Sequence, residues 1–178
     1  RRLVFTNPLI NRSEHLDSRH ISLLTNLELL SMPRGMRLDP SHFTLLSQNL
    51  TAVVTQTSPE SESILSQLTN ITYLTIHTTH LCPFSGKSFL SNPNLTTLTI
   101  QNNMVGLESH YLTVLTNLKT LSLCKNRVIR DCSLSSMTGL TSLRIDRDES
   151  LTSACLLNKP LLQDFILLNN SFNKNLAV

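Results

Sequence analysis

The pattern Leu-x-x-Leu-x-Leu-x-x-Asn recurs along this chain and limits its folding more than any other feature. Its plainest copy is Leu118-Lys-Thr-Leu121-Ser-Leu123-Cys-Lys-Asn126, and Leu95-Thr-Thr-Leu98-Thr-Ile100-Gln-Asn-Asn103 repeats it. Ile71-Thr-Tyr-Leu74-Thr-Ile76-His-Thr-Thr79 and Leu140-Thr-Ser-Leu143-Arg-Ile145-Asp-Arg-Asp148 differ at the last place, and looser copies begin at Leu27, Leu50 and Leu162. The first places fall at 27, 50, 71, 95, 118, 140 and 162, in steps of 23, 21, 24, 23, 22 and 22 residues. Places four and six are apolar, with Thr55 the exception, and alternate with mostly polar neighbours, the two-residue period of a half-buried strand. One such strand cannot bury its apolar side alone. Stacking equivalent strands in parallel makes a continuous core, and at least three units are needed. The chain has 36 Leu among 178 residues, with 4 Gly and no Trp, so one kind of side chain builds that core.

With this consensus at this period the chain resembles the leucine-rich repeat superfamily, from about Leu24 to Asn170. The lead-ins Leu24-Thr25-Asn26, Leu68-Thr69-Asn70 and Leu115-Thr116-Asn117 are similar to the short, internalin-like repeats of that superfamily. The resemblance implies an α/β fold: a leucine-rich repeat solenoid with a curved parallel sheet on the concave side and loops, 3₁₀ turns and short helices on the convex side. The final Asn of the motif is kept at Asn103, Asn126 and Asn170 and replaced at Gly35, Ser58, Thr79 and Asp148, so the buried Asn ladder the resemblance implies is incomplete. Residues 1–178 read as one domain of about seven repeats, with strands near 28–33, 51–56, 72–77, 96–101, 119–124, 141–146 and 163–168. Leu3-Val4-Phe5 marks a degenerate unit within 1–10. The chain starts without Met and without a leader-like apolar run, so a stretch of a longer chain is expected.

The binding surface of such a solenoid is the concave sheet, to which places three, five, seven and eight should point. There the expected partner-binding residues are Tyr73, Thr75, His77, Thr97, Thr99, Gln101, Lys119, Lys125, Arg144, Arg147, Ile166 and Leu168. Thr75, Thr99 and Ser122 should stack in register, flanked by Thr97 and Thr120. Lys119, Lys125, Arg127, Arg130, Arg144 and Arg147 make the fifth and sixth units locally basic, against Asp131, Asp146, Asp148 and Glu149. Outward Ile166 and Leu168 on the last strand are an exposed apolar edge, expected to be covered by more chain or by a partner.

Charge and chemistry narrow the function. A net charge of +3 is a mild excess, and the basic fifth and sixth units are partly neutralised by their own acids, which argues against nucleic acid as the partner. No apolar run reaches the 18 or so residues of a membrane span, so no membrane insertion is expected. His77, His80 and Cys82 are three zinc-ligand types at short spacing, but the turn separates His77 from the other two. Gly86-Lys87-Ser88 has the ending of a phosphate-binding loop without its upstream Gly, since Leu81 stands there. No catalytic constellation, metal site or cofactor site is expected, and the chain reads as a non-enzyme. The spacing of Cys82, Cys124, Cys132 and Cys155 fits reduced thiols in the cytoplasm. The five Asn-x-Ser/Thr sequons, at Asn11, Asn49, Asn70, Asn94 and Asn169, are what chance gives in so Ser/Thr-rich a chain. The expected function is protein recognition or scaffolding within a larger protein or assembly. The alternatives are a ligand-binding ectodomain of a surface receptor or adhesin, and a substrate-recognition module of a ubiquitin-ligase type complex.

Overall fold

The computed structural model describes residues 2–4, 21, 23–32, 39–44, 46, 48–79, 81–102, 106–125, 131–146 and 153–168. Eight strands form one parallel sheet in chain order: β1 (Arg2–Val4), β2 (Leu29–Ser31), β3 (Ala52–Gln56), β4 (Tyr73–His77), β5 (Thr97–Gln101), β6 (Thr120–Cys124), β7 (Ser142–Asp146) and β8 (Asp164–Leu168). Each of β2–β8 lies within one copy of the motif, and β1 lies in the degenerate unit.

Register follows the motif place by place. Leu74, Leu98, Leu121 and Leu143 pair across β4–β7, and so do Ile76, Ile100, Leu123 and Ile145. All eight are fully buried. They make one continuous core with the lead-in residues Leu68, Leu115 and Met137 and with Ile64, Phe84, Phe89, Leu112 and Leu134 of the return segments. Those segments are short, as the resemblance implied: 3₁₀ turns at Pro40–Phe43, Lys87–Ser91, Ser109–Val114 and Ser153–Leu156, and helices at Ser61–Gln67 and Asp131–Leu134.

Hydrogen bonds explain why each strand from β3 to β8 starts at the third place of its motif. The amides of places two and three share one carbonyl of the preceding repeat: Thr72 and Tyr73 both donate to Thr51 O, and Thr96 and Thr97 to Thr72 O. Threonine at place two adds its hydroxyl to the same acceptor. Thr51, Thr72, Thr96 and Thr141 donate to Glu28 O, Thr51 O, Thr72 O and Lys119 O at 3.2, 3.4, 3.1 and 3.0 Å. The lead-in Asn forms a second ladder, with Nδ2 of Asn49, Asn70 and Asn117 donating to Thr25 O, Gln48 O and Pro93 O. These two ladders produce the Asn-x-Thr spelling at Asn49 and Asn70. Both side chains of each of these sequons are engaged with the preceding repeat.

At the far end of the strand the eighth place departs from expectation. Its amide donates to the seventh-place carbonyl of the next repeat, as Thr57 to His77 O, Thr78 to Gln101 O, Asn102 to Cys124 O and Lys125 to Asp146 O. Asn102 and Lys125 leave the strand in the left-handed conformation, at φ 63° and 58°. β-Branched Thr resists that conformation. Thr57 and Thr78 instead turn inward and bury their hydroxyls, which donate to Cys82 O and Gln101 O at 2.6 and 3.0 Å. Place eight therefore does not point uniformly onto the concave face.

Candidate functional site

Three columns cross the concave face from β3 to β8. Ala52, Tyr73, Thr97, Thr120, Ser142 and Asp164 form the first; Val54, Thr75, Thr99, Ser122, Arg144 and Ile166 the second; Gln56, His77, Gln101, Cys124, Asp146 and Leu168 the third. At about 4.8 Å per strand these six strands span about 24 Å. Thr75, Thr99 and Ser122 stack in register with Thr97 and Thr120 beside them, as the motif required.

The columns fall into two chemical zones. From β3 to β6 the three columns carry no Lys, Arg, Asp or Glu, and Lys125 follows directly after β6. From β7 to β8 the face carries Arg144, Asp146, Asp164, Ile166 and Leu168. Arg144 is exposed and lies directly beside Ile166, which is 44% exposed, while Leu168 is 37% exposed. Arg144 makes no ion pair or hydrogen bond among the described residues, so its guanidinium is uncommitted.

Individual residues sit as follows. Tyr73 is 40% exposed and Thr75 only 7%. Thr75 was expected on the open face; its burial is a correction with a clear cause. Thr75 Oγ1 donates to Tyr73 Oη at 3.3 Å. Residues two apart on a strand lie about 6.6 Å apart, so the phenol lies along β4 and covers the threonine. His77, Thr97, Thr99, Gln101 and Lys125 are half-buried, and Lys119 is exposed one residue before β6. Arg147 and its basic and acidic neighbours at 127, 130, 148 and 149 lie outside the described residues, as does His80. Among the described residues no group of three His, Cys, Asp or Glu is placed to hold a metal ion. Neither Cys82 nor Cys124 is in a disulfide.

The Gly86-Lys87-Ser88 segment has a use that the sequence did not suggest. Its backbone wraps a carboxylate of the chain itself. Glu62 Oε1 accepts from Ser85 N, Ser85 Oγ and Gly86 N at 2.7, 2.8 and 3.0 Å, and Oε2 accepts from Ser88 N at 3.0 Å. Gly86 holds φ 90°, the left-handed region that turns successive N–H groups toward one point. The loop-like ending is thus a clamp between adjacent repeats. Its signal in sequence was a Glu one repeat upstream, visible only once the register is known.

No protein-family model matches the sequence, and no curated protein matches it either. Solved structures do. The chain is similar to an internalin from Listeria monocytogenes at 23% identity and a TM-score of 0.69, over 86% of this chain and 44% of the internalin. It is similar to the protein in a complex of TLR13 with ssRNA13 at 18% identity and a TM-score of 0.61, over 84% of this chain and 23% of that one. The chain thus spans less than half the length of either. Nothing in these likenesses supports the cytoplasmic placement read from the cysteines. No helix among the described residues is long and apolar enough to cross a membrane. At such identities the likeness is one of architecture, and it agrees with the stacked motif, the single parallel sheet and the short return segments: in fold, the chain is a leucine-rich repeat solenoid.

Proposed function

We propose that this chain is a non-enzymatic recognition module that holds a protein partner against its concave sheet, with the contact centred on Arg144 and Ile166. The carrying observation is that pair: an uncommitted guanidinium beside an exposed branched aliphatic side chain, in register on adjacent strands. Arginine is over-represented among the residues that dominate protein interfaces, and it gains most next to apolar surface that excludes water. Leu157 and Leu161, which lead into β8, are also exposed, so the C-terminal unit presents apolar surface on more than its sheet side. We infer that further repeats or the partner cover it. RNA fits this face less well. Its columns from β3 to β6 hold no Lys or Arg, Lys119 and Lys125 stand singly at the ends of β6, and Asp146 and Asp164 lie near Arg144, where a polyanion needs clustered positive charge.

The test is the double variant Arg144→Glu with Ile166→Asp. Both side chains are exposed, so the circular dichroism spectrum should stay that of the parent. A protein retained by the parent chain on an affinity matrix, purified and titrated, should bind the variant at least about a hundredfold more weakly, the loss that goes with about 2.7 kcal/mol. An unchanged Kd would remove the β7–β8 zone from the interface.

A further inference from the structure

From the neutral zone we infer a second binding site: a subsite for a neutral carbohydrate, centred on Tyr73 and lined by Gln56, His77, Thr97, Thr99 and Gln101. It does not rest on the protein-partner reading, which concerns β7 and β8.

The polar side chains of the sheet fall into two states. Threonine at place two is spent on structure, with four hydroxyls each bonded to a carbonyl of the preceding repeat. Around Tyr73 the same residue type is idle. The side chains of Gln56, His77, Thr97, Thr99 and Gln101 make no hydrogen bond among the described residues. They are half-buried and lie at adjacent register positions of β3, β4 and β5. Two amides, two hydroxyls and one imidazole offer both donors and acceptors at close spacing. A ligand rich in hydroxyl groups, each donor and acceptor at once, can satisfy such a mixed set; a purely anionic or purely cationic ligand cannot.

Tyr73 adds an aromatic surface to this polar set. Its phenol is tied along β4 by the Thr75 hydroxyl and the residue remains 40% exposed, so Tyr73 brings aromatic surface into a polar field. The C–H face of a sugar ring packs on such a surface while its hydroxyls reach the polar rim. In register, Thr97 flanks Tyr73, Thr99 flanks Thr75, and Gln56 and Gln101 flank His77 on either side.

Charge and size then choose among ligands. The three columns of β3–β5, where these side chains lie, carry no charged residue; Lys119 and Lys125 come only at the two ends of β6, so a charged ligand at Tyr73 has no counter-ion on its own strands. The zone spans three strand gaps, about 14 Å, and four residue rises, about 13 Å. That is roughly 200 Å² of flat sheet. A ligand of a few rings matches it.

The probe is a set of neutral oligosaccharides of three to six units: malto-, cello-, laminari-, manno- and chito-oligosaccharides. The chain has two tyrosines and no Trp, so ring-labelled tyrosine gives two resolvable signals in an NMR titration. At least one of these series should shift the Tyr73 ring signals and leave those of Tyr111 in place. Tyr73→Ala should weaken that binding by about tenfold or more, and Thr99→Val by several fold, while the Arg144→Glu/Ile166→Asp chain binds as the parent does. No binding by any series up to millimolar concentration would overturn the site. So would binding that Tyr73→Ala leaves unchanged, or a preference for acidic oligosaccharides or RNA over all neutral ones.

Discussion

Replacing Glu62 by Ala is expected to lower the unfolding free energy by about 2–4 kcal/mol. The carboxylate accepts four hydrogen bonds from Ser85, Gly86 and Ser88, three of them from backbone amides. Alanine removes every acceptor and leaves those amides to compete for water in a half-buried corner. That partial access to water keeps the cost below the sum of four charge-assisted bonds. For a chain of this length the loss corresponds to about 5–15 °C in melting temperature. Glutamine should recover only part of it. Its carbonyl oxygen can take the Oε1 role, but its amide nitrogen then meets Ser88 N–H donor to donor. Gly86→Ala attacks the same clamp from the other side. At φ 90° a Cβ is strained, and it would lie 3.0 Å from Leu107 Cδ1 and 3.1 Å from Phe89 Cε2. Thermal melts of the three variants check this; a Glu62→Ala melt within about a degree of the parent would show that the carboxylate contributes little.

The second large effect is positional. Leu121→Ala on β6 should cost about 2–5 kcal/mol, whereas Leu167→Ala on β8 should cost about 1 kcal/mol or less. Both are sixth- or fourth-place apolar residues, so chemistry alone would rank them together. Leu121 is fully buried between Leu98 and Leu143, and Leu167 is half-buried on the terminal strand. In a linear stack each repeat leans only on its neighbours. Hydrogen exchange should therefore show Leu121→Ala loosening β5–β7 first, with β3 and β4 keeping more of their protection. Equal costs at the two positions would contradict the stacked arrangement.

The sheet was legible because two periodicities coincide. Alternation within the motif sets which residues face inward, and the 21–24-residue step sets which residues pair. Once Leu74, Leu98, Leu121 and Leu143 are seen as equivalent, their register follows. The concave columns were legible for the same reason. What escaped were contacts whose partners lie one repeat away in irregular segments. The Glu62 clamp spans 23–26 residues and joins a helix to a loop, with no periodic pattern in either. The burial of Thr75 depends on the rotamer of Tyr73, which no spacing rule encodes. Asn92 is a third case. It interrupts the apolar lead-in column of Leu68, Leu115 and Met137, yet it is fully buried, and its Nδ2 donates to Leu65 O and Ser88 O at 2.8 and 2.9 Å. The break in the column was visible; the two carbonyls that accept it were not. The exchange of Asn for Thr at the repeat turns likewise became meaningful only through backbone conformation, with Asn102 left-handed and Thr57 and Thr78 folded inward.

Recognition on the concave face at β7 and β8, as proposed, has a direct test. A photo-crosslinking amino acid placed at Ser142, on β7 beside Asp164, samples that face, and one at Leu90 samples the convex 3₁₀ turn Lys87–Ser91. Irradiated with the partner isolated on the parent chain, the Ser142 position should give a covalent adduct that Arg144→Glu/Ile166→Asp abolishes, and the Leu90 position should give none. An adduct from Leu90 with none from Ser142 would place recognition on the convex side and contradict the account.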